Sequence, residues 1–252
     1  MAKSEGSQKE QSPMGLRQKI QKSSSRGKNY VMDLRIHSPA SLGYLGIEGI
    51  DTAPAMVRLA KVKGLDVIAV TDFYSGGFID RVAEAAKGSS LTVIPGTVIR
   101  ATLPVCNDVT LLCLFPEESG GALIEQFLTS IGMPQGSFGN PTYVVQRDFH
   151  AIMKNVEELN GVIIPSRMDK TPHQMGAIPA LVDDFGFRAF DLAYPDSAAF
   201  FKQRWPKIKF QLFSFSNANA LAQVGSRIAK VKMKEAGFAG LREIMARDEM
   251  NG

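Results

Sequence analysis

Residues 52–73 read TAPAMVRLAKVKGLDVIAVTDF and join a helical segment to an apolar run. Thr-Ala-Pro at residues 52–54 combines a capping hydroxyl with an early proline, which is typical of a helix start, and Gly64 marks the end of that helix. The run DVIAVTD at residues 66–72 is apolar almost throughout, as strands are when both of their faces are covered. The stretch therefore predicts a helix beside a buried strand.

The same alternation recurs along the chain from Tyr30 onward. The apolar runs are YVMDLRI (30–36), DVIAVTD (66–72), LTVIPG (91–96), VTLLCLF (109–115), GVIIP (161–165), FRAFDLAY (187–194) and KFQLFSF (209–215). Helices are predicted at residues 52–63, 77–87, 120–131, 146–160, 178–185, 218–230 and 238–247. Apolar strands that alternate with helices indicate parallel β/α units, and we expect them to form a closed or nearly closed α/β barrel.

Charge and composition divide the chain into a tail and one domain. Residues 1–29 hold seven Lys or Arg against two Glu and are rich in Ser, Gln and Gly, so they cannot bury enough apolar surface to offset the entropy of ordering. The net charge of the whole chain is +4, so the remainder is close to neutral. We expect a disordered basic tail over residues 1–29 and a single barrel domain over residues 30–252.

Compartment and solubility follow from what the sequence lacks. Cys106 and Cys113 are the only cysteines, and their spacing fits neither a zinc site nor a disulfide framework. No run approaches the roughly 20 apolar residues that cross a bilayer, and the first residues do not form a signal peptide. The chain is expected to be cytoplasmic and not inserted in a membrane.

Short motifs at the strand ends resemble those of one known family. The segments are DLRIHS (33–38), TDF (71–73), PGTV (95–98), VTLLCLF (109–115), PSR (165–167) and SNAN (216–219). They keep the frames of the PHP (polymerase and histidinol phosphatase) domain family, whose counterparts read Asp-Leu-His-x-His, Thr-Asp-His, Pro-Gly-x-Glu, His-x-Leu, Pro-x-His and Ser-Asp-x-His. The resemblance implies a distorted (β/α)7 barrel with two or three metal ions at the carboxyl ends of its strands, where such barrels place their sites.

The ligand positions within these frames are mostly occupied by other residues. Seven positions differ from the family pattern: Arg35, Phe73, Val98, Thr110, Arg167, Asn217 and Asn219. His37 alone is retained from these histidine and carboxylate ligands. A guanidinium stays protonated and repels a divalent cation, and a phenyl ring has no lone pair to donate. The resemblance therefore implies no metal and no catalytic residue of the family type.

Two hypotheses account for the arginines in this region. In one, Arg35 and Arg167 replace the metal as a joint between strand ends by pairing with carboxylates, the candidates being Asp33, Asp72, Asp169 and Asp191. In the other, the two arginines and His37 form an anion site for a phosphate-bearing ligand or a nucleic-acid phosphate. The candidate anion or vestigial pocket comprises Arg35, His37, Asp72, Phe73, Val98, Thr110, Arg167, Asn217 and Asn219.

The interpretation that follows is a PHP-like domain without catalytic activity or cofactor, acting as a binding or scaffolding subunit of a larger protein complex. One alternative is a metal-dependent phosphoesterase with an altered site, holding a single divalent ion near His37 and Asp72. The other is a nucleic-acid-associated protein bound through its basic tail.

Overall fold

The strands and helices are described for residues 27–247 in a computed structural model. The strands are β1 (Lys28–Ile36), β2 (Val67–Phe73), β3 (Thr92–Leu103), β4 (Cys106–Leu114), β5 (Val162–Pro165), β6 (Ala189–Asp191), β7 (Gln211–Phe213) and β8 (Ala229–Met233). The helices are α1 (Thr52–Val62), α2 (Ile79–Ala86), α3 (Gly120–Ser130), α4 (Phe149–Glu158), α5 (Pro172–Met175), α6 (Ile178–Asp183), α7 (Ala198–Arg204) and α8 (Phe238–Arg247). The predicted tail lies outside the described residues except for its last three positions.

The strands form a curled six-stranded sheet and a separate pair. The order in the large sheet is β5-β4-β3-β2-β1-β8, and β6 pairs with β7. Single parallel bridges join Ser166 to Asp191 and Ile36 to Ala218, so the carboxyl ends of β5, β6, β7 and β1 approach one another. The architecture is a mixed α/β half-barrel with helices packed on its outer face.

The sheet departs from seven parallel β/α units. β1, β2 and β3 are parallel, but β3 and β4 form an antiparallel hairpin and β4 is also antiparallel to β5. Only Pro104 and Val105 separate β3 from β4. The sequence did not reveal this hairpin, because a buried strand has the same apolar pattern whether it is parallel or antiparallel to its neighbour. The hairpin brings the first half of β4 to the same end of the sheet as the carboxyl end of β3.

The predicted helix at residues 218–230 is wrong. This segment instead contains a short 3-10 helix at Leu221–Gln223 and the start of β8, which pairs antiparallel with β1. β8 alternates exposed lysines with Val231 and Met233, which pack against the sheet, as an edge strand with one covered face does. β1 begins at Lys28, which pairs with Met233, so Lys28 and Asn29 are part of the sheet.

Two apolar clusters stabilise the domain. The larger one fills the space between the sheet and helices α1 to α4 and α6. All eight described strands contribute to the second cluster, which is the barrel interior, and α8 covers one end of it through Phe238, Leu241 and Ile244. Cys106 and Cys113 are buried free thiols. No helix among residues 27–247 is long and apolar enough to cross a membrane.

Candidate functional site

Five of the nine predicted pocket residues line one cavity of about 350 Å³ at the carboxyl ends of the strands. These five are Arg35, Phe73, Thr110, Arg167 and Asn217, and the remaining lining residues are Arg100, Asp108, Pro141, Lys170 and Gln174. We call this cavity, with its ten lining residues, the cationic cleft. Its position is the one at which β/α barrels place their active sites.

Arg35 is buried and joins the ends of three strands. Its Nη1 donates a hydrogen bond to Ser166 Oγ and lies 3.6 Å from Asp191 Oδ2. Ser166 Oγ in turn donates to Asp191 Oδ2 at 2.5 Å, and Asp191 Oδ1 accepts the N–H of Phe215 at 2.9 Å. β1, β5 and β6 are thus connected through a buried arginine, a hydroxyl and a carboxylate.

Burial shifts the pKa values of Arg35 and Asp191. Burial lowers the pKa of Arg35 to about 10, which Asp191 opposes and the neighbouring Arg167 reinforces, so the guanidinium keeps its proton at neutral pH. Burial raises the pKa of Asp191, against the effect of Arg35 and the hydrogen bond from Ser166. The Nε–H of Arg35 is buried and has no hydrogen-bond partner among the described residues. An unsatisfied buried donor costs about 1–3 kcal/mol, so an added oxygen ligand would be favourable there.

His37 is buried beside the cleft and does not line it. Its ring stacks on Phe73, with centroids 5.0 Å apart and planes 6° from parallel. Nε2 lies 3.3 Å from Asn217 Oδ1, and Nδ1 lies 3.4 Å from Ser41 Oγ. Burial, with the nearby Arg35 charge, lowers the pKa of His37 to about 3, so the imidazole is neutral at neutral pH. His37 therefore does not add a positive charge to an anion site.

The hypothesis that several carboxylates pair with the arginines is wrong for three of the four. Asp72 accepts hydrogen bonds from the N–H of Ser38 at 2.6 Å and from the hydroxyls of Ser38 and Ser41 at 2.5 and 2.6 Å. Burial raises the pKa of Asp72, and these serine hydrogen bonds oppose the shift.

Asp33 and Asp169 bind backbone amides instead of arginines. Asp33 accepts the N–H groups of Ser216 and Gly225 at 3.1 and 3.0 Å, and burial raises its pKa to about 6. Asp169 accepts two backbone N–H groups that follow β6, at 2.7 and 2.8 Å. Of the four candidate carboxylates, Asp191 alone pairs with an arginine, Arg35, among residues 27–247.

Two further predicted residues lie outside the cleft. Val98 is fully buried in the barrel interior, where it packs with residues of the other strands. Asn219 contacts its neighbours through its backbone: its N–H donates to Gln223 Oε1 at 2.9 Å, and its carbonyl accepts the N–H of Leu45 at 2.8 Å. Val98 and Asn219, although they occupy ligand positions of the family motif, therefore do not line the cleft.

The β3–β4 hairpin contributes cleft residues that the sequence reasoning missed. Arg100 Nε donates to Asp108 Oδ1 at 2.7 Å, and Arg100 Nη1 donates to the carbonyl of Pro141 at 3.0 Å. Gln174 Nε2 donates to Asp108 Oδ2 at 3.0 Å. Arg100 and Asp108 lie eight residues apart, on opposite sides of the hairpin turn. Once the hairpin is recognised, this pair of opposite charges indicates an ion pair across the two strands.

The segment of residues 133–143, which lies between α3 and α4, packs against the cleft. Gly139 donates its N–H to the carbonyl of Phe73 at 2.9 Å, and its own carbonyl accepts the N–H of Leu42 at 2.8 Å. The hydroxyl of Tyr74 donates to the carbonyl of Tyr143 at 2.5 Å. The loop is thus fixed to the end of β2, and it contributes Pro141 to the cleft.

Positive charge exceeds negative charge in the cleft. Four of its lining residues are cationic and one, Asp108, is acidic. Arg35 pairs with Asp191 and Arg100 pairs with Asp108, whereas neither Arg167 nor Lys170 has a carboxylate within 4.0 Å among the described residues. Arg167 Nη and Lys170 Nζ are therefore free to bind an anion.

Backbone strain is concentrated at the cleft. Four non-glycine residues in the described range have positive φ, and two of them, Arg167 at 55° and Asn217 at 52°, line the cleft. A third, Tyr74 at 49°, directly follows Phe73. Left-handed backbone costs about 1–3 kcal/mol at such residues and is found preferentially at binding and catalytic sites. The N–H of Arg167 donates to the carbonyl of Asp191 at 2.6 Å, which holds Arg167 in this conformation.

The residues present do not fit the metal cluster that the family resemblance implies. No group of three or more His, Cys, Asp or Glu side chains suited to a metal ion occurs in residues 27–247. Both oxygens of Asp72 accept serine hydrogen bonds, and Arg35 places a positive charge beside His37. The serine hydrogen bonds on Asp72 and the positive charge of Arg35 beside His37 both oppose the binding of a divalent ion at these two residues.

Comparison with solved structures identifies the fold. The lesion-specific endonuclease Q from Pyrococcus furiosus matches with a TM-score of 0.65 and 16% identity over 86% of this chain and 56% of that chain. Endonuclease Q bound to a 27-mer duplex with an abasic lesion at its active site matches with a TM-score of 0.60 and 17% identity, over 87% and 57%. A protein from Bifidobacterium adolescentis assigned as a metal-dependent phosphoesterase matches with a TM-score of 0.54 and 14% identity, over 86% and 96%.

The chain shares the fold of these structures, an endonuclease and a protein assigned as a metal-dependent phosphoesterase. This chain spans a little over half of the length of the endonuclease Q structures, 56% and 57%. No protein-family model matches the sequence, and no curated protein gives a significant match.

The shared fold corrects the leading functional expectation. We expected a catalytically inactive domain acting as a binding or scaffolding subunit. The structures that share the fold are an endonuclease and a protein assigned as a phosphoesterase, and this finding contradicts that expectation.

Proposed function

We propose that this chain is a phosphoester-processing protein that binds a nucleic-acid phosphodiester in the cationic cleft. The observation that carries the proposal is the pair Arg167 and Lys170, which face a cavity of about 350 Å³ with no carboxylate partner among the described residues. A guanidinium fork and an ammonium are the side chains that proteins use most for phosphate oxygens. Endonuclease Q, which has the same fold, holds duplex DNA, and this favours a nucleic acid over a small phosphate ester.

The cleft offers more than charge to a phosphodiester. Arg35 presents a buried Nε–H that no described residue accepts, and Thr110, Gln174 and Asn217 add a hydroxyl and two amides. Donors held in place before the ligand arrives stabilise negative charge that develops on phosphoryl oxygens during transfer. These side chains therefore suit both the bound phosphodiester and a more highly charged transition state.

Asp108 is the carboxylate that lines the cleft. Its two oxygens accept hydrogen bonds from Arg100 Nε and Gln174 Nε2, and each oxygen keeps a lone pair for one further donor. In the proposed reaction Asp108 accepts the proton of a water that attacks phosphorus, and the P–O bond to the leaving alcohol breaks as the new bond forms. The leaving oxygen takes a proton from solvent water, while the cations bind the phosphoryl oxygens. Asp108→Asn should then lower turnover and leave substrate binding largely intact.

A binding experiment tests the cleft directly. A fluorescent duplex oligonucleotide is titrated with the wild-type chain and with Arg167→Gln/Lys170→Gln, and anisotropy is recorded. Loss of two charge-assisted contacts should weaken binding by about tenfold or more. Arg58→Gln/Lys61→Gln is the matched control, because it removes two positive charges from α1, outside the residues that line the cleft. Equal weakening by both pairs would contradict the proposal.

A cleavage experiment tests the chemistry. The labelled duplex, with and without an abasic lesion, is incubated with wild type, Asp108→Asn and the Arg167→Gln/Lys170→Gln variant, and products are separated by size. The proposal expects cleavage by wild type, a reduced rate constant for Asp108→Asn and a raised KM for the cleft variant. Binding should be unchanged after chelation of divalent ions, because the proposed phosphate contacts are made by Arg167 and Lys170, whose cationic side chains do not bind metal ions.

A further inference from the structure

The barrel is open between β7 and β8. A groove of about 910 Å³ lies there, at the place where the β6–β7 pair fails to join the six-stranded sheet. We call it the β7–β8 groove. Residues of β7 and β8 line it, together with lysines next to these strands and Ile244 of α8.

Both walls of the groove are sheet edges without a strand partner in the described chain. β7 pairs with β6 alone, and β8 pairs with β1 alone, among residues 27–247. The N–H of Gln211 and the carbonyl of Phe213 are bonded on the β6 side. Because backbone groups alternate in direction along a strand, the N–H and carbonyl of Leu212 point to the other side, into the groove.

The free backbone groups of β8 can be assigned in the same way. Val31 uses its N–H and carbonyl on Asp66, at the side of β1 that faces β2. Its partner on β8 is Lys230, so this is a pair without mutual hydrogen bonds, and the backbone groups of Lys230 face outward. Lys232, two residues on, has the same orientation. The groove thus has free donors and acceptors on both walls.

The side chains of the groove favour one kind of occupant. Its lining includes four lysines, Lys209, Lys230, Lys232 and Lys234, and no carboxylate. Lys234 pairs with Glu243, which leaves three lysines at the groove without an ion pair in the described chain. Between the lysines lie apolar side chains such as Phe213, Val231 and Ile244.

We propose that the β7–β8 groove binds an extended acidic peptide of a partner protein as an added strand. A strand repeats its backbone groups at the spacing that sheet edges require, and alternating apolar and acidic side chains would meet the apolar floor and the lysines. A nucleic-acid strand has no backbone N–H groups to pair with these edges. The first 26 residues of the chain are themselves basic, so the lysines would repel them. This proposal does not rest on the cationic cleft.

The experiment uses the full chain and a defined probe, an acetylated peptide of seven alternating Glu and Val residues at a concentration at which it is monomeric. Binding is followed by fluorescence anisotropy and by amide hydrogen exchange. We expect saturable binding and slower exchange at Leu212, Lys230 and Lys232. A peptide N-methylated at alternate residues should bind about tenfold more weakly, because it cannot pair with the edges.

Charge variants complete the test. Lys230→Glu/Lys232→Glu should weaken binding of the acidic peptide by about tenfold, whereas Arg58→Glu/Lys61→Glu, on α1, should leave it within about twofold. No binding of the acidic peptide at millimolar concentration, equal binding of a Lys-Val peptide, or unchanged exchange at the three amides would each overturn the proposal. Protection of the same amides by an oligonucleotide, with no peptide effect, would assign the groove to nucleic acid instead.

Discussion

Single residues at the strand ends show how the charge of the cleft is arranged. Arg35 forms a buried ion pair with Asp191, and its Nε–H has no acceptor among the described residues. Arg167 is half-buried and has no carboxylate partner in the described chain. The two arginines of the family motif frames therefore differ in role. Arg35 stabilises the junction of strands, and Arg167 is available to a ligand.

Arg167 should trade stability for binding. Because its φ is 55°, Arg167→Gly removes left-handed strain and should raise the free energy of unfolding by up to about 1 kcal/mol, as measured by urea denaturation. Oligonucleotide binding should fall in the same variant. Asn160→Gly is the matched control, since Asn160 has a φ of 57° at the end of α4 and lies outside the cleft. A loss of stability in Arg167→Gly would show that the guanidinium is structural.

His37 should make stability depend on pH in acid. Its pKa is about 3 in the folded chain against an ordinary 6.5, so its contribution is fully present above pH 6.5 and is lost as pH falls toward 3. Between pH 7 and pH 5 this loss amounts to about 2 kcal/mol. The difference in unfolding free energy between wild type and His37→Gln should change by that amount.

The comparison with His37→Gln isolates the imidazole. Asp33, with a pKa raised to about 6, contributes the opposite slope over the same range, but it is present in both proteins and cancels in the difference. A pH-independent difference would mean that His37 has the same pKa in the folded and the unfolded chain, so that it would gain a positive charge beside the cleft as the pH falls through 6.5.

At the scale of elements, β8 is a strand that the sequence pattern did not predict. Val231 packs against the barrel interior, and Lys232 is exposed on the other face. Val231→Asp should therefore lower the free energy of unfolding by about 2 kcal/mol, through lost apolar burial and a partly buried charge. Lys232→Asp should change it by no more than about 0.5 kcal/mol. Similar losses in both would place β8 differently on the sheet.

The predicted elements were accurate where one rule decided them. Six of the seven predicted helices are present within three residues of their bounds, because each has an apolar face that packs on the core. Asp51, not Thr52, caps α1, its Oδ1 accepting the N–H of Ala53 at 3.3 Å. The β3–β4 hairpin and β8 were missed because the direction of a buried strand and the pairing of a lysine-rich edge depend on distant partners.

The cleft was likewise predicted only where a sequence motif marks its residues. Motif frames located Arg35, Phe73, Thr110, Arg167 and Asn217, which do line one cavity. They could not locate Arg100, Asp108 or Lys170, because no frame contains them and the hairpin brings two of them to the cleft. The motif frames also could not show that Asp72 accepts hydrogen bonds from Ser38 and Ser41, because the turn that follows β1 brings these two serines to Asp72.

At the scale of the whole molecule, positive charge is concentrated in two surfaces of the described residues and in the first 26 residues of the sequence. The cationic cleft lies at the carboxyl ends of the strands, the β7–β8 groove lies where the barrel is open, and the first 26 residues carry six Lys or Arg. Each could bind a polyanion, and each would give salt-dependent affinity. Their contributions can be separated because counterion release counts the phosphates that each one neutralises.

The dependence of duplex affinity on salt should divide into a cleft part and a tail part. Each phosphate contact contributes about 0.9 to the slope of log K against log salt, so Arg167→Gln/Lys170→Gln should reduce that slope by about 2. Deleting residues 1–26 should reduce it by a further, independent amount and should leave the effect of the cleft variant unchanged. The measurement is anisotropy of a labelled duplex between 50 and 300 mM salt, on the four combinations of tail and cleft. If the cleft variant loses its effect once the tail is removed, the tail alone holds the duplex and the cleft serves a different anion.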